Sequence, residues 1–204
     1  MKAGNGWLLA TALALATLTA VTYWPKTQGS DDGRSKEIGA SLGPALTPST
    51  FAAIPDGQLL EQVLKECWRQ ILLSGSVSAL SQKARALWTV EVLEGYVLQA
   101  GFGALCLQES TRNPQQATIS DLAQAYRELR LDSLARIVDE AATIANEKLQ
   151  TITQTDQPFT EAALISGFAA QDQRFRSEVA QVDSVGQRIA FARRNRDAIL
   201  LPGR

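Results

Sequence analysis

The sequence contains no histidine. That absence excludes Ser-His-Asp and Cys-His nucleophile arrangements, histidine general bases and most catalytic zinc sites at once. Its two cysteines, Cys67 and Cys106, are too few for a disulfide framework. Neither sign of charge is in excess: 20 basic side chains stand against 21 acidic ones, a net charge of -1. Such a balance makes no long-range field that would draw in nucleic acid or a strongly charged substrate. No stretch alternates apolar and polar residues for long enough to form a strand. What remains is a chain of 204 residues, 45% hydrophobic and 20% charged. That is the composition of a folded protein and the length of one domain plus an extension.

The extension is at the amino end. After Lys2, residues 7–24 (WLLATALALATLTAVTYW) carry no charge. Eighteen helical residues span roughly 27 Å, close to the ~30 Å hydrocarbon core of a bilayer. Trp7 at one end, and Tyr23 and Trp24 at the other, are suited to the lipid–water interface. Residues 1–25 are therefore expected to be a signal anchor and transmembrane helix. Cleavage after the small residues around Ala16 or Ala20, which would release the protein, is the alternative. Lys2 and the amino terminus favour an inside start, which puts the rest of the chain outside the cytoplasm. Residues 26–55, rich in Gly, Ser, Pro and Thr, read as a flexible linker.

From residue 56 to residue 204 the spacing is helical. Asp56 or Gly57 is placed to cap a first helix, whose stripe is Leu60, Val63, Leu64, Cys67 and Ile71. A second helix, from about Ser78 to Gln99, is apolar on most sides (Leu80, Ala84, Leu87, Trp88, Leu93, Val97), as a central helix would be. Ser120 is placed to cap a helix burying Leu122, Ala125, Tyr126 and Leu129. The next carries Leu134, Ile137, Val138, Ala141 and Ile144. Two more helical stretches, residues 160–182 and 184–204, complete an all-α bundle of about six or seven helices in a single globular domain.

One stretch within it has a family look. Residues 87–110, LWTVEVLEGYVLQAGFGALCLQES, resemble the signature of the DMP-nineteen-like family, an all-helical bacterial domain of unknown function named after a DNA-mimic protein. In that signature a helix ends in an Asn-Gly-Gly-Phe turn, which falls here on Gln99, Ala100, Gly101 and Phe102. Gly101 and Phe102 keep the pattern, whereas Gln99 and Ala100 replace Asn-Gly and Ala104 stands where Gln is usual. Residues 119–141 resemble the family's alanine-rich helix pair, and Asp172 with Phe175 its late Asp-x-x-Phe helix. The resemblance extends over residues 59–199. Gly101 is expected as a C′ residue in the left-handed conformation, with Phe102 plugging the corner into the core. DNA mimicry is not expected to carry over. Arg112, Arg127, Arg130 and Arg136 are interleaved with the carboxylates that would have to imitate phosphates.

Other candidates are few. Glu91 and Glu94, one helical turn apart, could share a proton as an acid–base pair, but read first as a polar edge paired with arginines. Asp172 and Arg176 have the spacing of a helix ion pair, or Asp172 holds a network between helices. Cys67 and Cys106 fall on apolar faces and read as buried free thiols, with a disulfide as the alternative in an exported domain. The cluster Arg193, Arg194 and Arg196 is a candidate contact for an acidic partner or anionic lipid, against the plainer reading of a solvated helix.

No catalytic set, metal site, cofactor or small-molecule ligand is expected. The function these features suggest is a membrane-tethered, non-catalytic domain that binds a protein in the bacterial envelope, on its periplasmic side. The alternatives are a cytoplasm-facing domain that regulates a DNA-binding protein, and an envelope hydrolase working through carboxylates.

Overall fold

The computed structural model describes residues 44–110, 117–154 and 161–201. The expected membrane segment and most of the linker lie outside the described residues. Among those described there are nine α-helices, one 3₁₀ turn and no strand, so the protein is all-α. The helices are α1 (Pro48–Ala53), α2 (Asp56–Ser74), α3 (Gln82–Ser110), α4 (Ile119–Glu128) and α5 (Asp132–Gln154). They are followed by α6 (Glu161–Ser166), α7 (Ala169–Gln181), α8 (Ser184–Arg194) and α9 (Arg196–Leu200). The 3₁₀ turn, Val77–Ala79, precedes α3.

Several boundaries differ from those expected. α1 lies in what reads as linker. Thr47 and Thr50 form a reciprocal capping box around Pro48, and Phe51 is buried, so a six-residue helix forms inside a Pro/Thr-rich stretch. α2 is capped by neither Asp56 nor Gly57: Pro55 is the N-cap and Asp56 the first helical residue. Likewise Thr118, not Ser120, caps α4, in a second reciprocal box with Asp121. The expected helix over residues 160–182 breaks at Gly167 and Phe168, and the one over 184–204 at Asn195. Two helices each replace one.

The described residues pack as two compact units: residues 44–88 with 188–201, and the described part of Thr89–Gln187. Helix α3 begins in the first and continues in the second. One 18-residue window of Gln82–Glu109 is long and apolar enough to cross a membrane, and half of it is buried inside the fold.

In the first unit, α2 buries Leu59, Val63, Glu66, Cys67, Gln70 and Ile71. The buried stripe is thus rotated from the expected one, with Leu60 and Leu64 half-buried and two polar residues inside. The Glu66 carboxylate and the Gln70 Nε2 are hydrogen-bonded, whereas Gln70 Oε1 is buried and finds no partner among the described residues. Arg69 grips the Glu66 carboxylate with Nε and Nη2, Gln70 Nε2 donates to it at 3.1 Å, and the Leu46 N–H donates at 3.2 Å. Gln70 Nε2 also reaches the Ile199 carbonyl at 3.4 Å, tying α9 to α2. Trp68 meets Trp88 edge to face, with ring centroids 4.9 Å apart. Gly75 closes α2 with φ 74° and ψ 7°, a left-handed C-cap.

In the second unit, α4 and α5 form an antiparallel pair joined at Arg130. That residue takes φ 61°, and the Leu131 and Arg130 N–H groups donate to Tyr126 O and Arg127 O. This is a Schellman motif with arginine where glycine is usual. Leu122, Ala125, Tyr126, Leu129, Leu134, Ile137, Val138 and Ala141 are buried, as their spacing requires, and Ile144 is half-buried.

Burial raises the Glu66 carboxyl, but the hydrogen bonds from Arg69, Gln70 and Leu46 and the Arg69 charge outweigh it and hold the group below its ordinary 4.5. A carboxyl depressed in the folded state contributes stability above its unfolded value and loses it as pH falls through the folded one. Glu66→Gln is therefore expected to cost about 2 kcal/mol near pH 7, and the gap to wild type should close as pH falls below about 4. Urea unfolding across pH checks this. A gap that stays constant down to about pH 3 would mean that the charge of Glu66 contributes nothing.

Candidate functional site

The site is built around the middle of α3. The helix has regular torsions on both sides of Gly101, which itself has φ 82° and ψ 168°. The positive φ agrees with the C′ expectation, but ψ does not. A left-handed C-cap has ψ near about +47°, whereas this pair lies in a region open essentially to glycine alone. The reason is the direction of the chain: it does not turn away from the helix but re-enters one at Phe102. The kink takes the Phe102 N–H out of line with the Leu98 carbonyl, its partner in an unbroken helix.

Both groups find replacements on α7. The Phe102 N–H donates to Asp172 Oδ1 at 2.8 Å, and Arg176 Nε donates to the Leu98 carbonyl at 3.4 Å. Asp172 and Arg176 are one turn apart on one face of α7. An anion thus meets the N-terminus of the second arm of α3 and a cation the C-terminus of the first, which suits both helix dipoles. The expected i, i+4 pair is therefore used between helices. A charge-assisted bond of the Asp172 type stabilises by about 1.5–3 kcal/mol.

Phe175 sits between the two on α7. It meets Phe102 edge to face at 5.2 Å, and Tyr126 of α4 at 6.2 Å between centroids. All three side chains are fully buried. The Tyr126 hydroxyl in turn donates to Glu94 Oε2 at 2.7 Å, a buried bond back to the first arm of α3. Gly103 serves a different end. A Cβ there would lie 2.6 Å from the Ile165 Cα, so its absence is what lets the backbone of α6 approach.

Of the candidate residues, Gly101, Phe102, Glu94, Asp172 and Arg176 are brought together at this kink. Glu91 is only half-buried, so the two glutamates occupy unlike surroundings. The arginine cluster is divided. Arg193 donates to the carbonyls of Phe51 and Ile54 and to the Asp56 carboxylate, and stacks over the Phe51 ring at 5.8 Å. It caps α1 from inside the first unit. Arg196 pairs with Asp197 at 2.8 Å, and Arg194 is exposed. Cys67 and Cys106 are free and buried, and burial pushes their thiols up to about 12 and about 11. Among the described residues, no group of three or more His, Cys, Asp or Glu is placed to hold a metal.

Residues 78–195, more than half of the chain, match the family model described as DMP19-like protein. The chain belongs to the DMP19-like family. The match takes in α3 with its kink, α4 to α7 and all of α8, and leaves α1 and α2 outside. It is shorter at both ends than the span of residues 59–199 suggested by the sequence. No curated protein and no solved structure matches the chain.

Sequence reasoning missed the Tyr126–Glu94 bond and the use of Arg176. A signal for the first was present. Glu94 lies on the same helical face as Val90 and Val97, so its carboxylate had to be buried and had to find a donor.

The three glycines of α3 should respond differently to alanine. Gly101→Ala forces a side chain into a glycine-only conformation with its Cβ 2.6 Å from Asp172 Oδ2. A loss of about 2–4 kcal/mol is expected. Gly95, with nothing within 4 Å of an added Cβ, should be neutral or gain up to about 1 kcal/mol. Gly103→Ala should fall between them. Denaturant titration of the three variants checks the order, and equal losses at Gly95 and Gly101 would contradict it.

Proposed function

We propose that this DMP19-like protein is a membrane-tethered, non-catalytic helical domain that binds a protein partner in the bacterial envelope. The observation that carries the tether is the uncharged stretch of residues 7–24 with tryptophan at both ends, about the length of a bilayer core. A Gly/Ser/Pro-rich linker follows it and leads into α1. The non-catalytic reading is supported by what the carboxylates are doing. Glu94 accepts from a buried tyrosine, Asp172 holds a helix N-terminus, and Glu66 is gripped by three donor residues. Each has a structural duty. Arg194, exposed on α8, is the member of the arginine cluster best placed for a partner or an anionic surface.

Family membership supports a second reading, a cytoplasm-facing domain that regulates a DNA-binding protein. Against phosphate mimicry, Arg127 pairs with Asp139 and Arg174 with Glu140, so these surface carboxylates are matched by cations. A hydrolase working through Glu91 or Glu94 has less in its favour, and would be revealed by Glu91→Gln and Glu94→Gln variants that lose function at unchanged stability.

A reporter fused after Arg204, active in one compartment only, tests the tethered reading together with the mass of the product. Activity outside the cytoplasm at full length is expected. A shorter product would replace the anchor by a cleaved signal. Activity inside would overturn the orientation and favour the cytoplasmic regulatory reading.

A further inference from the structure

Helix α7 is thirteen residues long, and Phe175 is the residue it buries. α4 has ten residues and buries Ile119, Leu122, Ala123, Ala125 and Tyr126. An element with so little buried apolar surface belongs at the low end of local stability. It also packs along α5, with Val179 half-buried and its N-cap residue Phe168 buried. Its polar holds are Asp172 on the Phe102 N–H, Arg176 on the Leu98 carbonyl, and the exposed Arg174–Glu140 pair.

The first two holds have a particular relation to each other. The groups they satisfy are the two halves of one missing i→i−4 bond. If α7 left with both in place but unpaired, two orphaned backbone groups would oppose its departure. Gly101 removes that opposition. With no side chain, it can return to helical torsions and let the Phe102 N–H close on the Leu98 carbonyl. The residues on both sides are already helical, so closing the bond extends an existing helix and nucleates nothing.

We propose that α7 is a releasable latch on α3. Docked, it holds the kink at Gly101 through Asp172, Phe175 and Arg176. Released, it lets α3 straighten, while α4 and α5 stay packed. Release uncovers the faces of Phe102 and Tyr126 that Phe175 now covers. The Phe102 N–H and the Leu98 carbonyl are satisfied in both states, by α7 in one and by each other in the other.

Residue-resolved amide exchange on the full chain in detergent micelles tests this. A free helix of thirteen residues is marginal in water, so undocked α7 loses protection. Amides of α7 are expected to exchange at least about tenfold faster than those of α4 and the first half of α5, through an opening insensitive to low denaturant. Asp172→Asn should speed α7 exchange further and leave α4 unchanged. The Phe102 amide should stay protected while α7 exchanges, because the straight helix gives it a new acceptor. Exchange of α7 only with global unfolding would overturn the latch, as would an α7 rate unmoved by Asp172→Asn. Loss of Phe102 protection together with α7 would overturn the straightening.

Discussion

A helix cannot bend sharply without leaving backbone groups unpaired, and the second unit is arranged around that constraint. At Gly101 the helix gives up the bond between the Phe102 N–H and the Leu98 carbonyl. One side chain of α7 accepts from the first group and another donates to the second. The register that achieves this, Asp172 followed by Arg176 one turn later, also places Phe175 between Phe102 and Tyr126. A polar requirement of the backbone and an apolar requirement of the core are thus met by a single helical face. The reach of Tyr126 to Glu94 then ties α4 to the same segment of α3. What the Gly-Phe-Gly provides is a torsion, a core plug and a close approach, one per residue.

The first unit meets a similar demand with different residues. At the end of α1 the Phe51 carbonyl accepts from the Ile54 N–H at 3.3 Å, and the Ile54 carbonyl, beyond the last helical residue, needs a donor from elsewhere. Arg193 supplies one, with Asp56 and the Phe51 ring holding the guanidinium in place. A planar group with five N–H donors suits that task in a way that lysine would not. α1 and α2 lie outside the family match and Arg193 lies inside it, so Arg193 ties residues 51–56 to the matched part of the chain.

The all-α class, the central apolar helix and the α4–α5 pair were legible in the sequence. In each, a continuous apolar stripe at helical spacing outweighs local detail. The family was legible as well, through Gly101, Phe102 and the Asp-x-x-Phe of α7. The caps were misread because Asp56 and Ser120 have the right chemistry one or two residues inside the helices, and only the backbone path selects Pro55 and Thr118. α1 was missed because six residues carry no period. The stripe of α2 was misplaced because Glu66 and Gln70 are polar, and their burial depends on hydrogen-bond partners far away in sequence, the Leu46 N–H and the Ile199 carbonyl. The value of ψ at Gly101 was out of reach for the same reason. It depends on a carboxylate 70 residues beyond Phe102, and no local pattern encodes it.

The kink and α7 should therefore be coupled, and a double-mutant cycle measures this most directly. The cycle compares the unfolding free energies of Gly101→Ala, Asp172→Ala and the two combined. The Cβ added at Gly101 is crowded by Asp172, and the Asp172 carboxylate has its use only while the kink exists. The combined loss should fall short of the sum by about 1 kcal/mol or more. Losses that add to within about 0.5 kcal/mol would mean that Asp172 does not hold the kink, and would contradict the arrangement described here.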